Sequence, residues 1–204
     1  TKVIYTAHGF HFFKGASLVN WLIYYPIEKW LSRYTDVLIT INKEDYERAK
    51  GFKAKRVEYV PGVGIDVDKY NIVEVDRKLK RKELNLPQDA FVVLSVGELN
   101  KNKNHEVLIR AIAKTNNTKI HYVICGQGQL KEYLHGLSKE LGIENQVHLL
   151  GFRKDIAEIC RVSDVFVFPS KREGLPVSLM EAMACGLPVV CSRIRGNVDL
   201  IEDG

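Results

Sequence analysis

Short apolar runs alternate along this chain with longer stretches in which apolar positions recur every three or four residues. Continuous β-branched and aromatic runs are typical of buried strands, and the longer periodic stretches are typical of amphipathic helices. The predicted strands lie at residues 3–5, 36–41, 56–60, 91–97, 119–125, 147–151, 164–168 and 187–190. The predicted helices lie at residues 17–31, 43–50, 129–141, in the stretch that ends near 113, and between 174 and 186. This alternation predicts an α/β fold with parallel sheets.

Composition narrows the class of protein. With 204 residues, of which 46% are hydrophobic, the chain is long enough for a real core and for one or two domains. The net charge of +5 is spread among 25 acidic residues, which argues against a nucleic-acid-binding protein but permits attraction to phosphates or anionic lipid. The four cysteines have no zinc spacing, and no stretch has the length of a membrane span or the pattern of a signal peptide. These features predict a cytoplasmic protein.

A change in composition suggests where domains meet. Residues 71–87 are rich in charge and poor in apolar periodicity, which is typical of a linker with a short surface helix. We therefore predict one domain over residues 1–70, a linker over 71–87 and a second domain over 88–204. The chain starts abruptly in a strand at its first residues and stops in a turn, so we expect it to be an internal part of a longer protein.

The most informative stretch runs from Glu173 to Glu181 between two apolar runs. An apolar strand precedes it, and a helix follows that ends at Gly186, with Pro188 two residues later. Ligands of open α/β sheets bind at the carboxyl ends of strands, where free N–H groups of the next helix meet anionic oxygens. Two acids eight positions apart would, taken alone, be solvated surface charges. The complete strand, loop and helix around them favours a binding site.

This stretch resembles the E-x7-E signature of retaining glycosyltransferases of family 4. Both acids match, as do the turn Gly174-Leu175-Pro176 and the Gly-Leu-Pro-Val-Val ending. The resemblance implies the GT-B fold of two Rossmann-like domains, with the amino-terminal domain incomplete here and the carboxy-terminal nucleotide-sugar domain nearly complete. It also implies a nucleotide-sugar donor, with Glu173 near the sugar and Glu181 on the ribose hydroxyls.

The resemblance also assigns residues in other loops. His8, which follows the first strand, corresponds to a histidine that reaches the donor sugar, and Lys103 corresponds to a diphosphate-binding lysine. The resemblance further implies that backbone groups of Phe152 and Arg153 hold the base. Binding residues are also expected at glycines that end strands, namely Gly97 and Gly126, and at Gly174, Leu175 and Pro176.

The turn Gly126-Gln127-Gly128 invites comparison with a dinucleotide fingerprint, but Lys131 stands where that motif needs its third glycine. We therefore expect no dinucleotide and no other cofactor. The turn is better explained by the close backbone approach that glycine permits.

The chain departs from the family pattern at one charged position. Glu98 stands where the family has an arginine directly after the glycine, which removes a positive charge from the expected diphosphate site. Lys101 is one substitute. No acid cluster for a metal is evident in the sequence, so we expect a metal-independent reaction in which lysine and N–H groups stabilise the departing diphosphate.

An aromatic stretch near the amino terminus has two interpretations. Trp21 and Trp30 lie in a predicted helix beside basic residues, and Pro26 is expected to kink or split that helix. A helix packed on the sheet is the commoner case, whereas exposed tryptophans beside lysine suit a peripheral contact with a membrane surface. His11, close to His8 in the sequence, has no partner that would make a metal site.

The expected function is transfer of a sugar from a nucleotide, UDP being the expected one, to a hydroxyl of a growing saccharide. The resemblance is to bacterial transferases for capsular polysaccharide or exopolysaccharide, which implies a lipid-linked acceptor and action at the inner face of the cell membrane. Two alternatives stay open: a GT-B enzyme that epimerises a nucleotide sugar or cleaves a glycosidic bond with phosphate, and a non-catalytic subunit that binds a sugar nucleotide.

Overall fold

The chain folds as an α/β protein with two parallel sheets, as predicted. The structure, a computed structural model, describes residues 2–71 and 73–202. It consists of two compact units. The first takes in the chain through Gly64 together with Arg172–Val177 and the segment from Arg193 onward. The second takes in Ile65–Lys171 and Ser178–Ser192.

The first unit is built on a three-stranded parallel sheet of order β1-β2-β3. Its elements are β1 (Ile4–Ala7), α1 (Leu18–Leu31), β2 (Val37–Thr40), α2 (Lys43–Ala49) and β3 (Arg56–Tyr59), with 3-10 turns at Ser32–Tyr34 and Asn197–Asp199. Stacked and tilted rings of Phe10, Phe12 and Phe52 form much of its core. Asn42 caps α2 as predicted, because its side-chain oxygen accepts the amide of Asp45 at 2.8 Å.

The second unit is built on a five-stranded parallel sheet of order β6-β5-β4-β7-β8. Its strands are β4 (Phe91–Val96), β5 (Ile120–Cys125), β6 (Val147–Gly151), β7 (Val165–Phe168) and β8 (Val189–Cys191). Its helices are α3 (Val67–Asn71), α4 (Arg77–Glu83), α5 (His105–Thr115), α6 (Lys131–Glu140), α7 (Ile156–Val162) and α8 (Val177–Ala184), with a 3-10 turn at Glu144–Gln146. Buried apolar side chains of β4, β5, α5 and α6 form one core, as the continuous apolar runs predicted.

The stretch predicted as a linker contains α4, and α4 packs on α7. Arg81 is 2% exposed and donates to the carbonyl oxygens of Gln88, Ala90 and Val162, while its guanidinium pairs with Asp164 at 2.9 Å. These contacts explain why a charged residue is buried at low cost, since each of its donors meets an acceptor. The division of the chain into domains stays a prediction.

Helix α1 is continuous from Leu18 to Leu31, so Pro26 does not split it. None of its residues is fully buried, although Trp21 packs on Phe12 and lies under the guanidinium of Arg48. Trp21 therefore does not fit the interpretation with two exposed tryptophans, because it is partly buried and packs in the aromatic core of the first unit. Trp30 is 51% exposed.

Candidate functional site

Three strands of the second unit end at one edge of the sheet, and their final residues are joined by backbone hydrogen bonds. The amide of Gly97 donates to the carbonyl of Cys125 at 2.9 Å, and the amide of Gly126 donates to the carbonyl of Gly151 at 2.8 Å. A side chain on Gly126 would place its Cβ 1.9 Å from the carbonyl oxygen of Gly97. Glycine is required there because the two backbones touch.

A cavity of about 260 Å3 opens beside these strand ends. Gly126, Gly128 and Gly151 line it together with the side chain of Lys131. A Cβ on Gly128 would lie 2.6 Å from the carbonyl oxygen of Leu99, so the turn is packed against the loop that follows β4. A ligand at this edge would meet the peptide groups of the glycines as well as the side chains of Leu99, Gln127 and Leu149.

Lys103 lies against the end of β4. Its Cε would be 3.1 Å from a Cβ placed on Gly97, and its ammonium group is 4.6 Å from the centre of the Phe168 ring. Asn100 shapes the loop, because its side-chain oxygen accepts the amides of Asn102 and Lys103, each at 2.9 Å. The structure thus brings Lys103, Gly97 and Gly126 together, and their role at a diphosphate stays a prediction.

A series of hydrogen bonds between buried side chains links β4, β5 and α5 next to this loop, and the sequence did not predict it. Ser95 donates to the carbonyl of Val167, and Tyr122 donates to the Ser95 hydroxyl at 3.0 Å. The Tyr122 oxygen must therefore accept from Nδ1 of His105, 2.9 Å away. Burial lowers the pKa of His105 to about 4, so its ring is neutral near pH 7.

Glu181 lies half-buried on α8, where one of its carboxylate oxygens accepts the hydroxyl of Tyr70 at 2.5 Å. This hydrogen bond raises the pKa of Tyr70 to about 12, because the carboxylate stabilises the protonated phenol. Tyr70 is 111 residues away in sequence, and no local pattern marked it as a partner.

Phe152 and Arg153 follow β6 and differ in what their side chains do. Phe152 is 66% exposed. The guanidinium of Arg153 pairs with Asp155 at 2.5 Å and with Glu83 at 2.8 Å, and these hydrogen bonds raise the pKa of Arg153. Acids thus hold the Arg153 side chain, and the role predicted for the backbone of this loop stays a prediction.

The first unit brings His8 and the Glu173 loop together. His8 is exposed immediately after β1. A Cβ on Gly174 would lie 1.8 Å from the carbonyl oxygen of His8, and a Cβ on Gly62 would lie 1.8 Å from the side chain of Leu175. Pro176, next to Leu175, is buried. The loop is therefore fitted against its neighbours by glycines that leave no space for a side chain.

Arg195, which sequence analysis did not single out, is buried among these residues. Its guanidinium donates to the carbonyl oxygens of Glu173 and Phe10, each at 3.0 Å, and pairs with Asp45 at 2.8 Å. The other Asp45 oxygen accepts the Phe10 amide at 3.1 Å and the Asn42 amide group at 2.8 Å. Burial raises the pKa of Asp45, and the nearby Arg195 charge opposes that shift.

Two kinds of feature are absent from the described residues, 2–71 and 73–202. No group of three or more His, Cys, Asp or Glu side chains there is arranged to hold a metal ion. No helix in this part of the chain has the length and apolar character needed to cross a bilayer.

Comparison with known proteins gives consistent matches. The family model described as "Glycosyl transferases group 1" matches residues 76–204. EpsD of Bacillus subtilis (strain 168) is 42% identical over 100% of this chain and 55% of its own length. The Escherichia coli enzyme UDP-Gal:alpha-D-GlcNAc-diphosphoundecaprenol alpha-1,3-galactosyltransferase is 31% identical over 98% of this chain and 54% of its own length.

Among solved structures, Anabaena HepE in complex with UDP and glucose matches with a TM-score of 0.84 at 25% identity. That match covers 100% of this chain and 56% of the HepE chain. The chain thus spans about half the length of the relatives that it matches. The family model and the identity to EpsD agree with the fold, and the chain belongs to the group 1 glycosyl transferases.

Proposed function

We propose that the full-length protein carrying this chain transfers a sugar from a UDP-sugar to a hydroxyl of a lipid-linked saccharide, with retention of configuration and without a metal ion. This is the reaction type of family 4. The proposed setting is synthesis of a cell-surface polysaccharide such as a capsule or exopolysaccharide, at the inner face of the cell membrane. The printed name of the Escherichia coli relative, which joins a UDP-sugar to a diphosphoundecaprenol acceptor, supports this class of substrates.

The observation that carries the proposal is the glycine-lined edge of the second sheet. β4 and β5 end there just before Gly97 and Gly126, and β6 ends at Gly151. Backbone hydrogen bonds join these strand ends, and Lys103 lies alongside. Peptide N–H groups and a lysine suit the diphosphate and ribose of a nucleotide, and such ligands bind at the carboxyl edge of parallel sheets. The bound UDP of HepE supports the same class of ligand.

In the proposed site, Lys103 and the backbone of Gly174 and Leu175 stabilise the departing diphosphate. Glu181 binds the ribose hydroxyls once Tyr70 gives up its hydrogen bond to the carboxylate. Backbone groups of Phe152 and Arg153 hold the base.

His8 and Glu173 act at the donor sugar, His8 as a hydrogen-bond donor and Glu173 as a carboxylate beside the reacting carbon. Glu98 leaves the site one cation short of the family pattern, and we assign the missing charge to Lys101, which lies in the same loop.

A binding and transfer experiment on the full-length protein tests the proposal. Calorimetry should show binding of UDP, and incubation with a panel of UDP-sugars and an undecaprenyl diphosphate-linked saccharide should give transfer that survives EDTA. The proton coupling constant of the new linkage reports retention or inversion. Exchange of epimers without transfer would identify an epimerase, and binding without turnover would identify a non-catalytic subunit.

The proposed membrane contact uses the exposed face of α1. Leu18 and Leu22 are 80% and 76% exposed, and Trp30 is 51% exposed with Arg33 beside it on the chain. Exposed leucine and tryptophan next to a cation suit the headgroup region of an anionic bilayer. Replacing Leu22 and Trp30 with serine should weaken sedimentation with phosphatidylglycerol vesicles, and unchanged sedimentation would remove the membrane contact.

A further inference from the structure

Arg195 and Asp45 form the most deeply buried ion pair of the first unit among the described residues. Their side chains are 4% and 0% exposed, and their charged atoms are 2.8 Å apart. Buried ion pairs carry a large desolvation cost, which is offset only where the geometry satisfies the remaining donors and acceptors. Because apolar side chains often replace such a pair without loss of stability, the pair is weak evidence for stabilisation, and its contacts show what else it does.

The contacts of the pair supply that reason. Arg195 binds the carbonyl of Glu173 through Nε and the carbonyl of Phe10 through Nη1, while Asp45 accepts the amide of Phe10. Phe10 follows His8 by two residues. One guanidinium and one carboxylate thus fix the backbones of two loops, one bearing His8 and the other bearing Glu173.

The space around the pair leaves little tolerance for movement. A Cβ on Gly9 would lie 3.0 Å from Nη2 of Arg195, and a Cβ on Gly196 would lie 2.4 Å from the carbonyl oxygen of Gly174. The ring of Phe13 covers the guanidinium, with its centre 4.9 Å from the central carbon. A planar guanidinium can donate to all of these acceptors at once, whereas a lysine ammonium would reach at most part of them.

We propose that Arg195 and Asp45 are positioning residues that hold the loops of His8 and Glu173 in the relative positions that the transfer step needs. The proposal rests on the proposed function, since it assumes that His8 and Glu173 act at the donor sugar. Small displacements of reacting groups lower the rate of a chemical step strongly, so misplacement of His8 and Glu173 should lower kcat. The nucleotide contacts that the second unit supplies, Lys103 among them, should be unaffected, because neither residue belongs to that unit.

The chain offers a matched control in Arg81. It is 2% exposed, pairs with Asp164 and donates to backbone carbonyls, but it belongs to the second unit, whereas the loops of His8 and Glu173 belong to the first. In the full-length protein, Arg195→Lys and Arg81→Lys should both lower the melting temperature. Arg195→Lys alone should lower kcat per folded molecule at least tenfold, with KM for the UDP-sugar within threefold of wild type.

Two further measurements separate positioning from a loss of folding. Millimolar guanidine should restore part of the kcat of Arg195→Ala, because the added guanidinium ion can replace the hydrogen-bond donors of the missing side chain. In NMR spectra, the amide signals of Phe10 and Gly174 should shift in Arg195→Lys and stay in place in Arg81→Lys.

The outcomes distinguish the two proposals. Equal kcat per folded molecule in the two lysine variants, or unmoved Phe10 and Gly174 signals, would overturn the positioning role while leaving the transferase reaction standing. A wild-type protein that transfers no sugar would instead refute the proposed function. The NMR comparison would then still decide whether Arg195 holds the two loops.

Discussion

At the scale of single residues, steric limits on glycines explain much of the candidate site. Gly126 and Gly174 each lie where a Cβ would be less than 2 Å from a backbone oxygen, 1.9 Å and 1.8 Å respectively. Atoms cannot approach that closely, so the backbone itself would have to move. The sequence marked both positions correctly as glycine turns, but the oxygen that each one faces depends on another loop and could not be predicted.

Gly174→Ala is expected to lower the stability of the fold by about 3 kcal/mol and to reduce turnover, because the new methyl group displaces the carbonyl of His8. Gly136→Ala is the control. Gly136 lies in α6 with open space around it, so alanine should stabilise the protein by about 0.5 to 1 kcal/mol. Urea unfolding of both variants measures the difference. Equal stabilities would contradict the packing described for Gly174.

The two acids of the E-x7-E motif are expected to behave differently when replaced. Glu181→Ala should raise the KM for the UDP-sugar about tenfold or more, since it removes the ribose contact, whereas Glu173→Ala should abolish turnover. Tyr70→Phe is informative beside them: it frees the Glu181 carboxylate from a hydrogen bond and should lower that KM or leave it unchanged. Steady-state kinetics on the three variants checks the assignment, and wild-type kinetics in both acid variants would refute it.

At the scale of elements, patterns of neighbouring residues predicted the strands and a helix cap, which depend on interactions close in sequence. The apolar runs gave the strands, and Asn42 gave the start of α2, because a strand and a cap depend on residues close in sequence. Arg195 and Asp45 could not be paired in advance, since 150 residues separate them. Two contacts of Arg81 could not be predicted for the same reason, since Val162 at the end of α7 and Asp164 just before β7 lie 81 and 83 residues away.

The neighbouring strands β5 and β6 carry a histidine pair with a predictable pH dependence. Nδ1 of His121 and Nε2 of His148 are 2.9 Å apart, so one ring donates and the other accepts. Burial lowers the pKa of His148 to about 4 and also lowers that of His121, where Asp89 opposes the shift and Arg81 adds to it. Both rings are therefore neutral in the folded protein near pH 7.

The sign of the pH effect follows from the lowered values. Between about pH 6.5 and pH 4 the unfolded chain binds protons that the folded protein does not, so stability falls as the pH falls through this range. His105, whose pKa is also about 4, adds to the loss.

Urea unfolding at pH 7.5 and pH 4.5 should show the loss, and His148→Gln should reduce it, because glutamine keeps a hydrogen bond but takes up no proton. His135→Gln, an exposed change on α6, is the control. A wild-type stability that stays constant over this range would contradict the neutral pair.

At the scale of the whole molecule, the sequence resemblance predicted the α/β class, the parallel sheets and the glycosyltransferase family, all of which the structure and the relatives confirm. The compact units do not follow chain order, since Arg172–Val177 and the segment from Arg193 onward belong with the first sheet. Glu173 therefore lies in the first unit and Glu181 in the second. Only folding, and no pattern of apolar spacing, reveals that arrangement.

The measurement that tests the central claim most directly is transfer by the full-length protein, with UDP-sugars as donors and an undecaprenyl diphosphate-linked saccharide as acceptor. We expect release of UDP coupled one to one to a new α-linked sugar on the acceptor for a UDP-α-sugar donor, in the presence of EDTA. We also expect Lys103→Ala to lower that rate at least tenfold, because the departing diphosphate loses its cation. Turnover that requires a divalent metal ion, or full turnover in Lys103→Ala, would contradict the proposed site.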